Sequence, residues 1–355
     1  MKQSHEILGI QYLRGYASLA VVTAHSIGMM GEGKYFGLFR AGAGQTTGLA
    51  GVYLFFVISG FIMAYIALRP ATLVPSTPPG RFFWNRFARI VPFMWVCILA
   101  WIALRFLGRG QEALTQHWPS YIRALTLWPV GAVDPPQIWT LRHELLFYLL
   151  FGLMLNSGKY RFVPLLTWIA APLLIISVKP LLVGQSPFIR ELADFLANPV
   201  NLLFGFGLMC GIVYLRRPNW FLPKIPGGSL ACLGICLISL AIITAWVPQG
   251  ELGLIPIAGG LSVLILYVAI CCKPVAVPYV DSFNEWIGNA SYAIYLIHPI
   301  VIAAILTFAV RAFPHADVFA VLVICVISAA GVGLLVHRYA EVPIVRLFRR
   351  PGIGF

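Results

Sequence analysis

Residues Gly48–Leu68 read GLAGVYLFFVISGFIMAYIAL, 21 consecutive positions without a charged side chain. At 1.5 Å per residue a helix of that length is about 31 Å long, and the hydrocarbon core of a bilayer is about 30 Å thick. Backbone entering lipid must satisfy its own N–H and C=O groups, so the segment reads as a spanning helix. Working outward from it, further apolar segments lie at 7–29, 90–108, 137–156, 162–178, 198–215, 228–247, 252–272, 286–311 and 316–338. The composition agrees: 60% of the 355 residues are hydrophobic and 10% charged, with mean hydropathy +0.86. A soluble domain usually carries about 25% charged residues. The expected fold is an all-α integral membrane protein of about ten transmembrane helices, a single domain over 1–355. Segment 7–29 reads as a retained helix, because Arg14 and His25 interrupt it and no small-residue cleavage pattern follows.

Net charge is +13, and its distribution excludes nucleic acid as the first reading. With ten crossings and the amino terminus inside, 15 of the 25 Lys and Arg residues fall in internal loops, eight fall outside, and Arg14 and Arg142 lie within spans. That bias follows the positive-inside rule and predicts both termini in the cytoplasm, with the chain in the cell's inner membrane and in contact with membrane lipids. The seven cysteines sit in or beside apolar segments without metal-finger spacing, so neither disulfides nor a metal is expected.

Ionisable groups at membrane depth cost about 2.5–3.5 kcal/mol each on insertion scales, so the few present need a reason. Arg14 and His25 lie eleven residues apart, three turns plus about 20°, and share one face of the first helix with Ser18. Such a stripe faces protein or a water-filled cavity; the structural alternative is a snorkelling arginine and a satisfied buried imidazole. Glu144 is the only acidic residue well inside any span, with Thr140 and Tyr148 one turn away on its face. Its burial demands a partner, and neutralising Arg142 or Arg14 is the structural alternative. His143 points about 100° away and reads as structural. In the ninth segment Ser291, Tyr295 and His298 form a second polar stripe, a cavity wall or a helix–helix contact, and Pro299 frees a backbone carbonyl one turn earlier. Arg86 and Arg89 sit one turn apart at the inner edge beside Arg81. Glu341, before Pro343, is expected to face Arg338 or Arg346 as a structural ion pair.

Several stretches resemble the signatures of membrane-bound acyltransferase family 3. Gln11-Tyr12-Leu13-Arg14-Gly15-Tyr16-Ala17 followed by His25 is similar to that family's first-helix motif, an arginine, ten residues and a histidine. Gly51 through Phe61 resembles its second-helix motif, with Tyr53 where many members have an acidic residue. Phe82 through Pro92 resembles its arginine motif, and Ile138 through Tyr148 its Trp-Thr/Ser-Leu…Glu…Phe-Tyr motif. Ser291-Tyr292-Ala293-Ile294-Tyr295-Leu296-Ile297-His298-Pro299 and Glu341-Val342-Pro343 match its late signatures. The motifs cover the first 150 residues and the last 70.

The resemblance implies transfer of an acyl group, usually acetyl, from cytoplasmic acyl-CoA to a sugar hydroxyl of an extracytoplasmic or lipid-linked glycan. It looks most like the stand-alone polysaccharide and exopolysaccharide O-acetyltransferases. Acyl-CoA would then be a co-substrate, with no tightly bound cofactor. Removing a hydroxyl proton suits an imidazole, which exchanges its proton near neutral pH, so His25 is the expected base and Glu144 its expected partner. Arg86 and Arg89, with Arg14, would meet the phosphates of CoA through guanidinium forks. Tyr148, Ser291, Tyr295 and His298 would line the substrate cavity. Ten helices with buried Arg, His and Glu are also features of a secondary transporter or glycan flippase, although no internal symmetry is visible.

Overall fold

The computed structural model describes residues 7–37, 43–70, 72–109, 111–156, 161–222, 234, 254–271, 273 and 278–348. Among them all regular structure is helical, apart from one isolated bridge between Leu68 and Pro75. The helices are α1 (Leu8–Met30), α2 (Ala43–Ala67), α3 (Pro79–Arg109), α4 (Gln111–Thr126), α5 (Trp139–Met154), α6 (Val163–Val178), α7 (Pro187–Leu196) and α8 (Asn201–Arg216). After them come α9 (Leu254–Cys271), α10 (Pro278–Asn289), α11 (Ser291–Ala312), α12 (Val318–Val336) and α13 (Val342–Phe348).

Among the described residues six helical stretches are long and apolar enough to cross a membrane: Gly48–Ala67, Pro79–Gly108, Pro187–Arg216, Leu254–Cys271, Ser291–Ala312 and Val318–Phe348. This is a multi-pass membrane protein. The span expected at 228–247 lies, except for Gly234, outside the described residues. Two expected boundaries move. The third span extends back to Pro79, so Arg81, Arg86 and Arg89 ride on the same helix as the apolar stretch, with Pro92 inside it. The ninth divides at Ala290 into α10 and α11, and both pack against α1. There the backbones meet closely: a Cβ on Gly288 would stand 2.2 Å from the Gln11 carbonyl oxygen. Tyr12 Oη donates to Asp281 Oδ1 at 3.0 Å and Tyr16 Oη to Asn284 Oδ1 at 2.9 Å along the same seam.

Contacts group the chain into two compact units. Of the described residues, one unit comprises those within 7–58 and 217–343; the other comprises those within 59–216 and 344–348. In the first, α1, α11 and α12 share an aliphatic core that includes Val22, Met30, Ile294, Ile302, Leu306 and Cys325. The end of α12 runs into a π-helical turn, His337–Glu341. Glu341 was expected to pair with Arg338 or Arg346; instead its Oε2 meets His337 Nδ1 at 2.8 Å. The wider turn of a π-helix brings residue 337, not 338, over 341.

In the second unit the core is aromatic: Phe147 stacks on Phe204 at 4.5 Å between centroids, with Phe151 and Trp168 around them. The stretch after α4 is tied down by Asp134, which takes an ion pair from Arg105 and a hydrogen bond from Trp101 Nε1 at 2.9 Å. His143 is buried with Nδ1 3.0 Å from Asn201 Oδ1, whose amide nitrogen donates to Leu196 O at 3.0 Å. That is the structural role its position on α5 predicted.

Candidate active site

In the first unit α1 carries His25 and α11 carries His298, and their rings meet. His25 Nδ1 lies 2.6 Å from His298 Nε2, with ring centroids 4.8 Å apart. His298 is fully buried, whereas His25 is half-buried. The proton positions follow from one further contact. His298 Nδ1 is 2.7 Å from the Tyr295 carbonyl oxygen. A carbonyl only accepts, so this nitrogen carries a hydrogen, and in the neutral ring Nε2 is left as an acceptor. His25 Nδ1 must then donate to it, and the lone pair of His25 lies on Nε2. The carbonyl is open to His298 because Pro299, four residues on, has no N–H to give it. The proline noted in the sequence thus fixes a tautomer two hydrogen bonds away.

The bare nitrogen has a small neighbour. A Cβ built on Gly48 of α2 would lie 3.3 Å from Ala24 Cβ, 3.8 Å from His25 Cδ2 and 4.0 Å from His25 Nε2. With His25 as the expected base, Gly48→Val, which would push a methyl into that space, is expected to lower turnover at least 100-fold, as small misplacements at a reacting group can. Gly48→Ala should keep most of the activity. Turnover assays on both variants, with helicity and thermal unfolding as folding controls, check this.

The other residues of the α11 stripe sit in the same unit. Tyr295 packs edge-on to Phe55 at 6.0 Å and tilts against His298 at 5.9 Å. Ser291 is fully buried, and its Oγ has no hydrogen-bond partner among the described residues. Arg14, three turns before His25, takes Gln11 Oε1 on Nη1 at 3.3 Å.

In the second unit Glu144 is held on its own helix. Tyr148 Oη donates to Glu144 Oε1, Ser59 Oγ reaches the same oxygen at 3.3 Å, and Ser59 Oγ and Tyr148 Oη are 3.3 Å apart. The Arg86 guanidinium stands over the Tyr148 ring at 5.8 Å, within the field of Glu144 and of Arg89 one turn on. Glu144 thus has Tyr148, Ser59 and Arg86 as neighbours, where the sequence suggested His25, with Arg142 or Arg14 as the structural alternative. Between α3 and α5 a cavity of about 260 Å³ opens beside Arg86 and Tyr148, lined by Phe83, Phe87, Ile90, Val91, Leu145 and Leu149. Arg86 Nε has no acceptor among the described residues. Thr140, expected beside Glu144, donates to Gln137 O at 3.1 Å and closes the turn before α5.

Two features escaped the sequence. The sequence reading does not single out Ser59, though its place in the second-helix Ser59-Gly60 pair was the available signal. For His298 the sequence leaves cavity wall and helix–helix contact open; its bond to His25 of α1 is the second, and nothing local marks His25 as the partner. Among the described residues no cluster of His, Cys, Asp and Glu could hold a metal ion.

The profile of the acyltransferase domain of family 3 matches residues 7–337. The chain belongs to that family. Among curated relatives, it is 28% identical over 326 residues to the exopolysaccharide production protein ExoZ of Rhizobium meliloti (strain 1021), covering 86% of this chain and 92% of that one. It is 24% identical over 291 residues to the peptidoglycan O-acetyltransferase OatA of Listeria monocytogenes serovar 1/2a, covering 72% of this chain and 45% of that protein. No solved structure matches it. The family match covers both histidines of the pair, Arg86, Arg89, Glu144 and Tyr148 in one acyltransferase domain.

Proposed function

We propose that this protein is a membrane O-acyltransferase that moves an acyl group, acetyl in the simplest case, from acyl-CoA on the cytoplasmic side to a hydroxyl of a polysaccharide or lipid-linked glycan. The observation that carries the reading is the ordered proton pattern at His25: Nδ1 donates to His298, and Nε2 keeps its lone pair beside Gly48. A nitrogen so prepared can take the proton of an acceptor hydroxyl as the sugar oxygen attacks the thioester carbonyl. The tetrahedral intermediate then collapses, the carbon–sulfur bond breaks, and the imidazolium returns its proton to the departing CoA sulfur. His298 holds the ring in the productive tautomer and takes a stronger hydrogen bond as His25 becomes charged, the part a carboxylate plays in hydrolytic triads. Direct transfer needs no protein nucleophile.

Arg86 and Arg89, with Arg14, are assigned to the CoA phosphates, and the cavity beside Arg86 offers an apolar lining to the donor's uncharged part. Glu144 keeps Tyr148 and Arg86 in place, and Tyr148, Ser291 and Tyr295 are assigned to the substrate cavity. About ten crossings with both termini in the cytoplasm of an inner membrane remain the topology that the basic-residue bias supports. The names of the two relatives, one an exopolysaccharide protein and one an O-acetyltransferase, favour a glycan acceptor.

Mass spectrometry of surface glycans from cells with and without the gene tests the reading, together with CoA thiol release by the purified protein in lipid nanodiscs. Ester-linked acyl groups present only with the protein support it; glycan movement without CoA turnover overturns it and favours transport. Arg86→Gln and Arg89→Gln should each raise KM for acetyl-CoA about tenfold or more, the size expected for one hydrogen bond to a charged group. Their KM for acceptor should stay near that of the parent protein.

A further inference from the structure

Arg142, on the first turn of α5, has no part in the mechanism above, and its surroundings are unusual. Its side chain is only 8% exposed. Nη1 donates to the Gly131 carbonyl at 2.9 Å. Nε and Nη2 are buried and have no acceptor among the described residues. These two are the pair whose N–H bonds run parallel along one edge of the guanidinium, the edge that grips a carboxylate or phosphate with two hydrogen bonds. Two orphaned donors on a buried cation are expensive, and an anion answers both the charge and the geometry where a water answers only the geometry.

The neighbourhood adds positive charge. Gly131, at φ +83°, is wrapped by charged side chains. Arg123 lies against its Cα, so that a Cβ there would stand 2.8 Å from Arg123 Cζ. Glu191 Oε2 accepts the Gly131 N–H at 2.8 Å, and Arg142 holds the carbonyl. The charged groups acting on Arg142 are therefore a second guanidinium, Arg123, and one carboxylate, Glu191, already committed to the loop. Among the described residues no carboxylate is within ion-pair distance of Arg142.

We propose that Arg142 and Arg123, around Gly131, form an oxyanion subsite for the acceptor, and that the acceptor is an acidic glycan gripped by a carboxylate or phosphate on the Nε–Nη2 edge of Arg142. This rests on the acyltransfer reading and on its topology, in which the loop before α5 lies on the side opposite the CoA-binding arginines. It deepens that reading by giving the acceptor a charge.

The test uses the full-length protein in nanodiscs with three acceptors of equal length: a neutral glucose oligomer, the same oligomer with a glucuronate, and the same oligomer with a glycosyl phosphate. The parent protein should show a KM about 10- to 100-fold lower for one charged oligomer than for the neutral one, and which of the two wins separates carboxylate from phosphate. Arg142→Gln should erase that preference while leaving KM for acetyl-CoA unchanged; Arg142→Lys, which keeps the charge and loses the fork, should restore part of it. Arg123→Gln, at a half-buried position, gives a second reading should Arg142→Gln fail to fold. A separate arm needs no turnover: the charged oligomer should raise the unfolding temperature of the parent protein but not of the Arg142→Gln protein. Equal KM for all three oligomers with no oligomer-dependent stabilisation, or variants that lose stability without losing preference, overturns the subsite and leaves Arg142 with an ordered water. If no glycan is acylated while the charged oligomer still stabilises the protein, the acyltransfer reading fails and the anion site stands.

Discussion

His25→Ala protein, correctly folded and able to bind acyl-CoA, is expected to transfer acyl groups about 10²- to 10⁴-fold more slowly than the parent, the usual worth of a positioned general base. The loss should fall on kcat. The imidazole makes no described contact that would hold the donor, and its one recorded hydrogen bond runs to His298. Two effects compete in this variant. Removing a half-buried ring leaves His298 Nε2 without its donor, which costs about 1–3 kcal/mol of stability. Removing the base raises the barrier by about 3–5.5 kcal/mol, which is the larger quantity. A measurement that separates them compares single-turnover rates with thermal unfolding in the same nanodiscs. A His25→Ala protein that unfolds at the parental temperature, binds acyl-CoA and turns over at the parental rate would remove His25 from the mechanism.

The second large effect is at His298, and it is selective. His298→Phe fills the buried volume but presents no acceptor to His25 Nδ1, so the imidazole is free to rotate or change tautomer and the Nε2 lone pair is no longer enforced. Loss of kcat by about 10- to 10³-fold is expected, less than when an anionic partner is lost from a triad, because His298 is neutral. His298→Gln carries an amide oxygen that can accept the same hydrogen bond, and it should recover at least a tenth of the parental rate. A purely structural His298 makes a different forecast: both variants would lose stability together, and the remaining folded enzyme would turn over normally. The ratio of the Gln to the Phe variant, normalised to folded protein, decides between them. Phenylalanine also takes the His298 Nδ1 donor away from the Tyr295 carbonyl in the middle of α11. Some destabilisation is therefore expected of it, and the normalisation is necessary.

Much of this protein is local, and what is local was legible. Helix-forming apolar runs, the Arg14–His25 spacing, the Tyr148–Glu144 contact at i, i+4 and the carbonyl released by Pro299 all depend on residues within a few turns of one another. Others were not legible. His25 and His298 are 273 residues apart, and Ser59 and Glu144 are 85 apart. In a soluble helix an apolar stripe tells which face turns inward. In a membrane the lipid-facing and protein-facing sides are both apolar, and that signal is weak. Glu144 shows the consequence: its need for partners was evident from burial cost, but Ser59 and Arg86 were not the ones that the sequence suggested. The boundary at Ala290 was missed for a related reason, since the sequences of α10 and α11 are both compatible with helix.

By itself the sequence determined that the chain is a bundle of membrane helices and that its chemistry rests on a handful of buried polar residues carried by family motifs. The transfer energies of long apolar segments dictate the first, and the expense of charge in hydrocarbon the second. Only the tertiary structure decided which of those groups meet. It gave His25 an imidazole partner, gave Glu144 a tyrosine, a serine and an arginine, and left one edge of Arg142 without an acceptor among the described residues. A hydrogen bond acts over about 3 Å, and chain separation carries no information at that scale until the helices are packed.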